Sequence, residues 1–140
     1  MNYNYLKNSH NKIFKTSKFI FKFFKSKNKY IIERDFYIKT RNKYEFIPKL
    51  YYFSDKRFMI IIENVGIRIK KRDIDFKALR IINDILIKDN IFQNDYRCKN
   101  ILYNKDKNMW YIIDWEHYGD KFNDFRKSPV YDDIRNELFI

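Results

Sequence analysis

No unbroken apolar run in this chain is longer than Phe58 to Ile62, which stops at Glu63. A membrane-crossing helix needs about 20 consecutive apolar residues, so none is encoded in this sequence. Short runs rich in aromatic and β-branched side chains are instead typical of strands that bury one face of a sheet. Apolar residues are still plentiful, at 45% of 140 residues with 20% aromatic. That supply suits one compact domain and is too rich for a disordered chain.

The first twelve residues are polar and the apolar segment Phe19 to Phe24 is interrupted by Lys22, so no secretory signal is expected. Cys98 is the single cysteine, which allows no internal disulfide and no zinc site of its own. A reducing compartment, the cytoplasm, is the expected location. Thirty basic against eighteen acidic side chains give a net charge of +12, a balance that attracts nucleic acid or anionic membrane. Coding drift is the plainer source. Phe, Tyr, Met, Ile, Asn and Lys, all with A/T-rich codons, make up more than half of the chain, and Lys outnumbers Arg more than twofold. Lysines scattered by an A/T-rich genome, such as that of a giant virus, a protist or a reduced bacterium, supply this charge without a selected polyanion site.

Two glycines, Gly66 and Gly119, and two prolines, Pro48 and Pro129, leave Asn and Lys to make most of the turns. NKIFK and FIFKFF, joined by Thr16-Ser17-Lys18, predict a hairpin, with a weaker strand before it in NYNYLK. From Tyr30 to Arg41 the spacing of Ile32 and Phe36 predicts a helix that sets Glu33 beside an apolar stripe. LYYF and FMIII then predict a second hairpin around Ser54-Asp55-Lys56-Arg57. Asp73 to Lys88 reads as a helix with Ala78, Ile82, Ile85 and Leu86 on one stripe, Asp73 capping its start and Asn90 closing its end. NILY and MWYIID flank the polar turn Asn104 to Asn108, a third hairpin. A short last helix is expected with Ser128 as N-cap, Pro129 at its first position, Asp132 and Asp133 near its positive end, and Val130, Ile134 and Leu138 on one side.

The chemistry concentrates in IFQNDYRCKNILYNKDKNMWYIIDWE. Asp95 and Asn100 precede one strand of the hairpin and Asp114 closes the other, so the three can converge at one end. A carboxylate closing so apolar a run needs a cation or several donors beside it. Mg²⁺ is the natural cation, because it takes oxygen ligands from one or two protein groups together with substrate phosphates and water. Asp114 and the Asn100 amide oxygen would then hold Mg-ATP, leaving Asp95 to orient a hydroxyl nucleophile. Cys98 reads as a bystander in this loop. His10 and His117 lack partners at metal spacing and read as surface residues.

This stretch resembles the protein-kinase-like superfamily, and more closely its aminoglycoside phosphotransferase and choline kinase branch. The branch's H-[GN]-D-x4-N followed by a hairpin to I-D-[FW]-E stands here as Q-N-D-x4-N and I-I-D-W-E. The resemblance implies that Asp95 is the catalytic aspartate, Asn100 the metal-binding asparagine, and Asp114 the metal-binding aspartate that protein kinases carry in D-F-G. Arg97 falls where protein kinases keep a phosphate-contacting lysine. Upstream, Lys22 sits like the lysine that grips the α- and β-phosphates of ATP, and Glu33 like its helical partner. Ile62 sits like the gatekeeper, with Glu63 to Val65 as a hinge whose backbone meets adenine. The resemblance covers roughly residues 13 to 116 and implies an α+β, bilobal kinase-like fold. Residues 1–66 would form a small antiparallel-sheet N-lobe and residues 67–140 a much reduced helical C-lobe.

The sequence departs from the family in four places. Asn8-Ser9-His10 stands where a glycine-rich phosphate loop is expected, and Gln93 replaces the loop histidine. A basic connector, Ile67 to Arg72, follows Gly66, and 24 residues follow Glu116 where the family adds acceptor-binding helices. The expected activity is transfer of the ATP γ-phosphoryl group to an unidentified hydroxyl acceptor. The alternatives are a catalytically degenerate kinase-like module that docks a protein partner, and, resting on charge and aromatics alone, a basic nucleic-acid-binding protein.

Overall fold

The computed structural model describes residues 4–7, 11–123 and 134–139. Asn8-Ser9-His10, Ser128, Pro129, Val130, Asp132 and Asp133, and the expectations attached to them, lie outside the described residues. The chain divides into two compact units, Met1–Val65 and Gly66–Ile140.

In the first unit, strands β1 (Asn4–Lys7), β2 (Asn11–Lys15), β3 (Phe19–Phe24), β4 (Leu50–Ser54) and β5 (Met59–Glu63) form one antiparallel sheet in the order β1-β2-β3-β5-β4. The β2–β3 turn closes on Thr16, whose hydroxyl accepts from the Phe19 amide at 2.9 Å while its own amide donates to the Phe19 carbonyl at 2.8 Å. Alternation along β3 buries Ile20, Lys22 and Phe24 on one face, where paired Ile60 and Ile62 of β5 join them. Helix α1 (Lys27–Lys39) is tied to this face through Lys22 and buries Tyr30, Glu33, Phe36 and Tyr37. It starts three residues before the predicted Tyr30, because the Ser26 hydroxyl caps it by accepting from the Lys29 amide. Its buried stripe also differs from the predicted one, since Ile32 is exposed and the aromatic side chains of Tyr30 and Tyr37 take the inward positions.

In the second unit, β6 (Ile67–Arg68), β7 (Ile101–Asn104) and β8 (Met109–Ile112) form a three-stranded antiparallel sheet beside helices α2 (Phe76–Lys88) and α3 (Arg135–Leu138). The basic connector thus contains an unpredicted strand. Gly66 permits it, because a Cβ there would collide with the Tyr103 carbonyl oxygen. Asp75, not the predicted Asp73, caps α2 by accepting from the Ala78 amide, and Asp73 ends a short 3-10 turn. The stripe is correspondingly rotated: Leu79, Asn83 and Leu86 are buried, whereas Ile85 is exposed. Asn90 does close the helix. It adopts φ 58° and donates to the Ile87 carbonyl, while Ile91 donates to the Leu86 carbonyl, the paired bonds of a Schellman ending.

Candidate active site

Lys22 and Glu33 are buried in the first unit, 4% and 1% exposed, with Nζ 2.8 Å from Oε2. β3 supplies the lysine from its covered face, and α1 supplies the glutamate one turn after Tyr30. Two opposite charges this deep are tolerable only as a hydrogen-bonded pair. The Phe24 ring lies 4.8 Å from the ammonium and adds its negative face. A second clasp holds α1 to the β4–β5 turn: the Tyr30 hydroxyl donates to Asp55 Oδ1 at 2.5 Å, and Arg34 Nη1 donates to the same oxygen at 2.9 Å. These donors pull the Asp55 carboxyl below its ordinary range, and burial together with Asp55 pushes the Tyr30 phenol up to about 12. Neither side of this clasp is marked in the sequence, because helix and turn lie far apart along the chain.

Ile62 and Glu63 to Val65, the residues expected to form a hinge, also belong to this unit. Ile62 is buried in β5, paired with Ile20 and Leu50. Glu63 donates its amide to the Lys49 carbonyl at 2.8 Å, and Asn64 donates its amide to the Lys18 carbonyl at 2.9 Å. Two of the three expected hinge amides are therefore spent on the sheet. The Val65 amide is in neither bond, so a base docking along this segment would find its donor there.

In the second unit, the loop before β7 is knitted to the end of β8 by side chains. Gln93 Oε1 accepts from the Asp95 amide at 2.5 Å, while its Nε2 donates to the carbonyls of Ile113 and Asp114 at 3.0 and 2.8 Å. Asn100 Nδ2 donates to the Asp95 carbonyl at 2.7 Å, and the Ile113 amide donates to the Asn100 carbonyl at 2.9 Å. One glutamine thus joins the Asp95 loop to the Asp114 backbone, the work that the resemblance assigns to a histidine. Arg97 grips Asp95 with Nε and Nη2 at 2.8 and 2.9 Å, one to each carboxylate oxygen, and Asp95 is 1% exposed. Asp114 is half-buried, with φ 65°, a conformation few non-glycine residues adopt. The amide of Asn100 is oriented by its bond to Asp95, which leaves its oxygen as the donor atom a hard cation would use. An amide oxygen with a carboxylate is the ligand chemistry Mg²⁺ selects.

Two supporting residues escaped the sequence reading. Asn94, at φ 63°, donates to the His117 and Lys121 carbonyls and accepts from the Asn123 amide, pinning the segment after Glu116 beneath the loop. Tyr96 accepts from the Gln93 amide at 3.2 Å, and burial pushes its phenol up to about 12. Asn94 fills the [GN] position of the quoted motif, and asparagine's tolerance of left-handed backbone is the physical signal behind that choice.

No protein-family model and no curated protein matches this sequence. Solved structures do. The structure of the Cydia pomonella granulovirus kinase PK-1 aligns with 83% of this chain at TM-score 0.59 and 20% identity. The chain has a kinase-like fold. The crystal structure of monomeric WbdD aligns with 79% of it at TM-score 0.66 and 14% identity. This chain spans about a third of the WbdD chain, 33%, and about half of the granulovirus kinase chain, 53%. Among the described residues, no helix is long and apolar enough to cross a membrane.

Proposed function

We propose that the chain is a kinase-like phosphotransferase, moving the γ-phosphoryl group of ATP to a hydroxyl acceptor with Mg²⁺, in the manner of the aminoglycoside phosphotransferase and choline kinase branch. The observation that carries this reading is the network around Gln93. It ties Asp95, Asn100 and the Asp114 backbone to one end of a single hairpin, the arrangement that Q-N-D-x4-N and I-I-D-W-E call for. Phosphoryl transfer asks for positioning and charge neutralisation rather than covalent help. Lys22, held by Glu33, would meet the α- and β-phosphates. Asn100 and Asp114 would hold Mg²⁺, which neutralises phosphate charge when bound. Asp95 would orient the acceptor hydroxyl and take its proton. Arg97 uses two of the roughly four acceptor sites of that carboxylate, fixing its plane while balancing charge. The Val65 amide would serve adenine, with Ile62 behind it and the Glu63 carbonyl beside it.

One observation favours the second reading, a catalytically degenerate module that docks a protein partner. Asp95 is almost wholly enclosed and already chelated by Arg97, so an acceptor must displace or share that contact. Thermal melting with Mg-ATP separates the two. At 100 times its Kd, the nucleotide should add about 2.7 kcal/mol of stability, and Asp114→Asn should remove that gain. Phosphate release by the wild type that disappears in Asp95→Asn supports the enzyme. A melting shift with no turnover supports the docking module, and no shift in the wild type rejects nucleotide binding altogether.

A further inference from the structure

We propose that the outer face of the first unit's sheet binds single-stranded nucleic acid. Helix α1 occupies the face that carries Lys22, and the opposite face is aromatic. Cross-strand pairing places Phe14, Phe21, Ile61 and Tyr52 in one row running from β2 through β3 and β5 to β4, since paired residues point to the same side. The Tyr51 ring meets Phe19 edge-on at 5.2 Å, and Phe23 meets Phe14 edge-on at 5.9 Å, so the row widens into a platform. Tyr51 and Tyr52 are 53% and 55% exposed, and Phe14, Phe19, Phe21 and Phe23 are half-buried. Rings displayed on neighbouring strands offer flat surfaces on which unpaired bases stack.

Charge selects the occupant. Lys12 is paired with Phe23 on this face, and Lys18, Lys25, Lys49, Lys56 and Arg57 stand exposed in the segments bordering it. Of the nearby acids, Glu63 accepts from the Lys49 amide, and Asp55 of the bordering β4–β5 turn accepts from Tyr30 and Arg34. More telling is the division of charge along the chain. Residues 1–65 hold fifteen basic and five acidic side chains, a net +10, whereas residues 66–140 hold fifteen and thirteen, a net +2. Drift toward A/T-rich codons supplies lysine to both halves alike and has no reason to empty one half of acids. The positive field therefore belongs to the unit with the aromatic platform. A polyanion carrying flat apolar groups, which is single-stranded nucleic acid, complements both features together. An anionic bilayer would use the charge alone, whereas unpaired bases can also stack on the exposed Tyr51 and Tyr52 rings. The proposal is independent of phosphoryl transfer.

Binding of a fluorescein-labelled oligo-uridylate 20-mer to the full chain, between 50 and 200 mM salt, tests it. The wild type should bind with affinity that falls steeply as salt rises. The exposed pair Tyr51→Ala/Tyr52→Ala should weaken binding at least tenfold with little change in the salt slope. Lys12→Glu with Lys56→Glu should instead flatten that slope, by roughly 0.7 for each phosphate that is no longer neutralised. Lys105→Glu, in the second unit, should leave both quantities unchanged. The proposal fails if the tyrosine variant binds like the wild type, if heparin competes as effectively as unlabelled oligo-uridylate, or if phosphatidylserine vesicles bind and the oligonucleotide does not.

Discussion

The two units handle buried charge in opposite ways. In the first, Lys22 of β3 and Glu33 of α1 are joined across separate elements, so the pair exists only when sheet and helix have both formed. In the second, Asp95 and Arg97 are two residues apart and meet within one loop, and Gln93 and Asn100 complete the network at close range. The first arrangement makes a charged site a product of tertiary folding. The second joins its charges within one loop, and the bonds from Gln93 to the Ile113 and Asp114 carbonyls then tie that loop to the end of β8.

Breaking the first arrangement should have the largest effect. Glu33→Ala leaves an ammonium buried without its carboxylate and should cost about 3–5 kcal/mol in urea unfolding, much of it recovered by the apolar pair Lys22→Met/Glu33→Leu. Equal loss in the single and double variants would show that the charge pair is not what the site depends on. Next comes Gly66→Ala in the second unit, where the added methyl meets the Tyr103 carbonyl. It should cost about 1–3 kcal/mol, seen as faster amide exchange in β6 with the Asp95 loop protected as before. Gln93→Leu should cost a comparable or smaller amount, within about 1–3 kcal/mol, by stranding the Asp95 amide and two carbonyls, and its exchange signature should fall on the loop rather than on β6. If Gln93→Leu also exposed β6, the loop would not be the separate local unit described above.

The mildest test is titration. Both units hold a phenol raised from 10.0 to about 12, Tyr30 in the first and Tyr96 in the second. A raised acid stabilises the fold below its unfolded value and loses that contribution as pH climbs through the folded one, so stability should decline between pH 10 and about 12. Tyr30→Phe and Tyr96→Phe should each remove part of that decline. The depressed Asp55 adds an acid limb in the first unit, with stability present above the ordinary carboxylate value and lost as pH falls through its lowered one.

Much of this architecture was legible in the residues. Runs such as FIFKFF and MWYI carry enough β-branched and aromatic character to announce strands, and Asn90 announces a helix end because asparagine accepts left-handed backbone. The helix faces were less legible. Ile32 and Ile85 fit an apolar period, yet both are exposed, while Tyr30 and Tyr37 in α1 and Leu79 and Asn83 in α2 are buried, since packing overrides periodicity where two stripes compete. The run FMIII predicts a strand from Phe58, but Phe58 sits in the β4–β5 turn at φ 49°, its carbonyl accepting from the Phe24 amide. In the candidate site, the positions of Asp95, Asn100 and Asp114 follow from their spacing around one hairpin. The glutamine that binds the loop to Asp114, and the Asp55 clasp on α1, depend on contacts far apart in the chain, which no local pattern records.

Six described residues have positive φ: Asn42, Phe58, Asn90, Asn94, Asn108 and Asp114. Neither glycine is among them. Glycine codons begin with two guanines, whereas asparagine is written with A, A and a pyrimidine. Asparagine takes four of these six reversals, so the fold makes them without a glycine codon. A kinase-like scaffold can in this way be built from a chain that holds two glycines.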